Sequence, residues 1–199
     1  MTDEQIAEHD RVFQEAAGIV KDEILLQKRS DMSAPDWFLR RKLNRALSLF
    51  ERVIHLNPEN WSAMWLSGKV CQRLNDPDTA LSWFERAYQI NPSRPDVARE
   101  ASICAMDSGR HDAAITFAHR AVQIEPTNPG LHANLALAYL LAARIPDAQA
   151  SIDSALSGDP KDNISQTIAA MIRHFTSKGS KPPTTAPVLL AYWAKNRNA

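Results

Sequence analysis

Apolar residues recur along most of the chain at intervals of three and four, the spacing of one face of an α-helix and not of a strand. Met64, Ser67, Gly68 and Cys71 stand at i, i+3, i+4 and i+7, and Ala80, Phe84 and Ala87 continue the spacing. Asn60 is placed to cap the first of these helices, and Asp76 followed by Pro77 starts the second. The pattern then repeats. Pro58, Pro92, Pro126 and Pro160 stand 34 residues apart, preceded by Asn57, Asn91, Glu125 and Asp159. The same interval links Ala46, Ala80, Ala114 and Ala148, then Phe50, Phe84, Ala118 and Ile152, then Val53, Ala87, Ala121 and Ala155. It also links the small residues Gly68, Ser102, Ala136 and Ala170. Several columns sharing one period predict an all-α stack of antiparallel helix hairpins.

The small column has a physical cause. Two helices joined by a short turn cross closely, and only Gly, Ala or Ser fits where their backbones meet. A larger residue there costs about 1–3 kcal/mol in strain. The expected pairs are Gly68 with Ala80, Ser102 with Ala114 and Ala136 with Ala148. The prolines end each second helix and aim the chain into the next hairpin.

These residues resemble the tetratricopeptide repeat family. Its signature has an aromatic-x2-Leu-Gly-x2-Tyr first helix and an Ala-x3-Phe…Pro second helix. Leu135, Ala136 and Tyr139 match first-helix slots, and Ala80, Phe84, Ala87 and Pro92 match second-helix slots. The resemblance implies a right-handed α-solenoid with repeats at residues 61–94, 95–128 and 129–162. Residues 1–60 form an atypical first repeat: Ala46, Phe50, Val53 and Pro58 give its second helix, but Pro35 and Asp36 interrupt the expected first one. The nearest substitute is Gln14, Ala17, Gly18 and Lys21, after an insertion. We expect a long amphipathic helix over residues 5–29 (Ile6, Phe13, Val20 and Ile24 on one stripe), a loop near Ser30 to Ala34, and a helix from Pro35. A capping helix follows at residues 163–176, then a linker at 177–187 and an apolar, basic tail at 188–199.

Composition narrows the function. The formal net charge is zero, but from residue 163 onward the chain carries Arg173, Lys178, Lys181, Lys195 and Arg197 and no acidic residue. That is too sparse a set to point to nucleic acid. Arg40, Arg41, Lys42 and Arg45 beside Trp37 and Phe38 raise an RNA-associated role only as the weakest alternative. Cys71 and Cys104 lack metal-ligand spacing, and free thiols in apolar contexts favour a reducing, cytoplasmic setting. No stretch approaches a membrane span in length, so no membrane partner is expected. Ser67-Gly68-Lys69 lacks the remainder of a phosphate loop, and the six histidines are scattered. We therefore expect no enzyme activity, catalytic residue, metal or cofactor.

The expected partner is a polypeptide. First helices of stacked hairpins present one face away from their second helices. That face offers Trp65, Lys69, Gln72, Arg73, Arg99, Ile103, Met106, Ala133, Leu137, Leu140 and Leu141, polar at first and apolar later, and the capping helix adds Thr167, Met171, His174 and Phe175. Some members of the family clamp acidic C-terminal peptides with Lys, Asn and Arg. The corresponding slots here hold Trp65, Lys69, Asp96 and Glu100, and the carboxylates argue against that ligand. In the tail, Leu189, Leu190, Tyr192 and Trp193 are costly to leave in water, each worth about 1.5–3 kcal/mol when buried. The tail is expected to fold back and occupy the groove or cover the last helix. It could instead be offered to another protein, or exchanged in a homodimer. The reading is a protein-interaction scaffold, autoinhibited by its tail. The alternative is a non-catalytic regulatory subunit of an enzyme complex.

Overall fold

The computed structural model describes residues 1–25 and 34–196, and every regular element among them is helical. The chain forms two compact units, residues 1–92 and 93–199.

The first unit holds α1 (Asp3–Val20), a single π-helical turn (Lys21–Leu25), α2 (Trp37–Leu56), α3 (Trp61–Arg73) and α4 (Pro77–Ile90). Its caps follow the sequence. The side chains of Asp36, Asn60 and Asp76 accept hydrogen bonds from the backbone N–H of Leu39, Ala63 and Thr79, at 2.8, 2.9 and 3.1 Å. These groups satisfy donors that a helix start leaves open. Thr2 and Gln5 close a capping box at α1.

The atypical first hairpin differs from expectation in two ways. α2 starts at Trp37 with Asp36 as its cap, not at Pro35. The buried face of α1 is Val12, Ala16 and Val20, continued by Ile24, while Gln14, Gly18 and Lys21 are exposed. A methyl on Gly18 would meet nothing within 4 Å, so this glycine marks no close crossing; Ala16, fully buried, takes the inner position. Ile6 is also largely exposed. The expected loop lies outside the described residues except for Ala34, as do residues 26–29 of the expected first helix.

At the α3–α4 crossing, a methyl on Gly68 would lie 2.6 Å from the Phe84 ring. Gly68 thus makes room for the Phe84 ring, one turn along α4 from the Ala80 that the spacing pairs with it. Cys71 is buried nearby. Desolvation, then the charges of Asp76 and Glu51, push its thiol up to about 12, so it is an inert core group.

The second unit holds α5 (Pro95–Asp107), α6 (His111–Ile124), α7 (Pro129–Leu141), α8 (Ile145–Gly158), α9 (Asn163–Lys178) and α10 (Ala186–Asn196). Helices α5/α6 and α7/α8 are hairpins, and α9 packs on α7 and α8 as a half hairpin. Here the crossing slots carry different sizes. Ser102 stands where Gly68 does, and Ala118 replaces the phenylalanine, both fully buried. The Ser102 hydroxyl donates to the Ala114 carbonyl at 2.9 Å. The largest side chain in the second slot, Phe84, thus goes with the smallest residue in the first, Gly68. The capping helix runs two residues beyond the expected Thr176 and stops at Gly179, which adopts φ 59°.

Candidate functional site

The last helix is the informative element. The expected linker already turns helical at Ala186, and α10 runs to Asn196. It lies against α5 and α9, two first helices that both pack on α7. Leu189 is fully buried and Ala186 nearly so. Tyr192 tilts against Phe175 with ring centroids 5.5 Å apart. His174 meets Tyr192 at 5.8 Å and stands edge-on to Trp193 at 5.6 Å. His174 Nε2 and the Tyr192 hydroxyl share a hydrogen bond of 3.0 Å.

The approach to α10 is held as well. Gly109, in the α5–α6 turn at φ 70°, leaves space where a methyl would come within 3.3 Å of Thr185. At the start of α6, His111 Nε2 donates to the Thr184 carbonyl at 2.7 Å. Asn196 Nδ2 donates to the Tyr192 carbonyl at 2.7 Å and closes the last turn of the helix.

Leu190 departs from the expected set. Consecutive residues on a helix point about 100° apart, so with Leu189 inward Leu190 turns out, and it is 56% exposed. Val188 is exposed beside it. Tyr192 and Trp193 are half-buried.

The expected wall residues fall into two groups. Trp65, Lys69, Gln72 and Arg73, in the first unit, are all half-buried on α3. In the second unit Arg99 is exposed, Ile103 and Leu137 are half-buried, and Met106, Ala133, Leu140 and Leu141 are buried. Those four do not form an open surface. The seat of α10 combines His174 and Phe175, expected on the open face of the capping helix, with His111 at the start of α6, for which no periodic pattern gives a signal.

Charges at the start of α5 are internally paired. Burial alone would raise the Asp96 carboxyl, but the Arg94 guanidinium and the Val97 N–H hold it below the usual carboxylate range. Glu100 is buried and accepts from Arg99 at 3.0 Å. A cleft of about 290 Å³ lies between Arg94, Asp96, Arg99, Glu125 and Asn128. Among the described residues no cluster of three or more His, Cys, Asp or Glu could hold a metal ion. No helix among them is long and apolar enough to cross a membrane.

Comparison with known proteins agrees with this architecture. The chain is similar in structure to MamA from Desulfovibrio magneticus RS-1 (residues 41 to the end), with TM-score 0.71, 11% identity, and 89% of this chain and 88% of that one covered. It is similar to YrrB, a TPR protein with an unusual peptide-binding site, at TM-score 0.58 and 19% identity, covering 65% and 67% of the two chains. It is also similar to a tetratricopeptide repeat protein from Parabacteroides merdae ATCC 43184, at TM-score 0.66 and 12% identity, covering 84% and 61%. None of the curated proteins compared with it matches. Two family models, each described as tetratricopeptide repeat, match residues 38–95 and 105–172. The chain belongs to the tetratricopeptide repeat family.

Proposed function

We propose that the chain is a protein-interaction adaptor. The α5/α9 face of its second unit holds a helical segment of a partner, and α10 occupies that face until the partner displaces it. Tetratricopeptide repeat proteins are in general protein-interaction scaffolds and typically non-catalytic, and the similar protein YrrB has a peptide-binding site. The observation that carries the reading is the seating of α10, with Leu189 fully buried beside the aromatic cluster of His174 and Phe175. A face that takes a helix of the same chain already has the apolar floor and polar anchors a foreign helix needs.

Occupancy by the tail is a form of competition. α10 buries only Ala186 and Leu189 well and leaves Val188 and Leu190 in water. A partner that covers more apolar area therefore has energy available to displace it.

The test is affinity capture from lysate with the unaltered chain and with Leu189→Asp, which releases the tail. A polypeptide enriched by Leu189→Asp and competed off by a synthetic peptide of residues 184–196 supports the reading. Equal capture by both chains, or capture that the peptide leaves untouched, overturns it.

A further inference from the structure

We infer that the partner segment is a helix carrying Leu, Tyr and Trp at i, i+3 and i+4, and that His174 selects it by pairing with the tyrosine hydroxyl. This rests on the α5/α9 face being the binding face, and deepens that reading from site to ligand.

The resident helix shows what the face recognises. Leu189, Tyr192 and Trp193 stand at i, i+3 and i+4, the spacing that brings three side chains onto one side of a helix. Each meets a different surface. Leu189 is fully buried, the Tyr192 ring lies against Phe175, and Trp193 meets the edge of His174. The residues between them, Leu190 and Ala191, face water and carry no requirement. His111 donates to a backbone carbonyl, that of Thr184. Any residue supplies such a carbonyl, so His111 sets the register of the helix and not its sequence.

His174 is different, because its Nε2 pairs with a side-chain hydroxyl at 3.0 Å. A phenylalanine could supply the ring against Phe175 but would leave that nitrogen without its partner. Half-buried polar groups that lose a partner are penalised, and sites built around a hydroxyl discriminate against the analogue lacking it. Tyrosine over phenylalanine at i+3 is therefore the choice His174 makes.

The tether sets the terms of competition. Residues 179–185 connect α9 to α10. A short flexible connection gives an effective concentration on the order of mM. A partner at about 1 μM must therefore bind on the order of a thousandfold more tightly than the free α10 peptide. A second copy of α10 has no such advantage, which disfavours tail exchange.

The experiment uses the full chain carrying Leu189→Asp and a fluorescein-labelled peptide of residues 184–196, followed by anisotropy. The released chain is expected to bind at least about a hundredfold more tightly than the unaltered chain, whose own tail blocks the face. Tyr192→Phe in the peptide is expected to weaken binding about three- to tenfold. That loss should vanish when the protein also carries His174→Ala. An equal loss on both proteins sinks the His174 assignment while leaving the binding face intact. No binding to a Leu189→Asp chain that retains native circular dichroism sinks both. If Leu189→Asp does not fold, the same cycle is read from hydrogen exchange of the α10 amides. Full-length chains with Tyr192→Phe, His174→Ala and both are compared, and additive effects overturn the assignment.

Discussion

Helix α1 and helix α10 each lie against hairpins of their own unit, but they are secured by different means. α1 presents a continuous stripe of Val12, Ala16 and Val20 and places Phe13 edge-on to Phe50 at 6.1 Å. Ion pairs flank the stripe: Arg45 with Glu15 at 2.6 Å, Lys42 with Glu23 at 3.5 Å, and Arg52 with Glu8. Asn60, the cap of α3, donates to His9 at 2.9 Å. α10 is held by two buried residues and one aromatic cluster. It is apolar nearly all round yet half in water, a composition that suits burial. α1 has the marks of a permanent component of a hairpin, and α10 those of an occupant.

The contrast can be broken by substitution. Phe50→Ala removes the floor under α1 and is expected to cost about 3–5 kcal/mol, with α1 lost in the same cooperative transition as α2. A separate earlier melt of α1 by circular dichroism would make α1 an occupant too. Gly68→Ala forces a methyl onto the Phe84 ring and should cost about 1–3 kcal/mol in chemical denaturation. Combining it with Phe84→Leu should recover part of that, because the shorter side chain removes the ring atoms that the methyl meets.

Asp162→Ala tests α9, on which α10 rests. Asp162 accepts from the Ser165 hydroxyl at 2.6 Å, from the Ser165 N–H at 2.8 Å and from the Ile164 N–H at 3.4 Å. These bonds, the hydroxyl first, hold its carboxyl below the usual range. Loss of the cap is expected to cost about 1 kcal/mol at neutral pH. The unfolded chain binds the proton more readily, so the stabilisation is complete above about pH 4 and is lost as pH falls through the folded value. The gap between variant and unaltered chain should therefore close on acidification, and a gap constant with pH would contradict the assigned cap. Arg45→Ala should do least, about 0.5 kcal/mol, since its pair with Glu15 is exposed. A loss of several kcal/mol would mean that charge, not the Phe50 floor, secures α1.

Much of this is legible in the sequence because repeats report themselves. The proline interval, the capping Asn60 and Asp76, and the small column each bear on one local event, so helix bounds follow within a residue or two. The departures arise where no repeat supplies a second copy. Gly18 resembles a crossing residue by composition, yet Ala16 takes the inner position, because the first helix is not in the family's register. Spacing pairs Gly68 with Ala80 but does not reveal that the Phe84 ring reaches the same glycine. The burial of Leu140 and Leu141 is beyond a pattern that scores only which face a residue is on. Tail docking can be anticipated from the cost of wetting Leu189 and Trp193. The part of its seat on the capping helix, His174 and Phe175, follows from that helix lacking a partner, but His111 does not, because its contact spans 73 residues and obeys no period.

Amide hydrogen exchange on the unaltered chain separates an occupant from a structural component most directly. Displaceable docking predicts that Leu189 to Tyr192 exchange through local opening, at least about tenfold faster than Ile168 to Ile172 in α9 and without dependence on global stability. Exchange of α10 at the same rate as α9, slowing and quickening with it across denaturant, would show that α10 opens only when the unit unfolds.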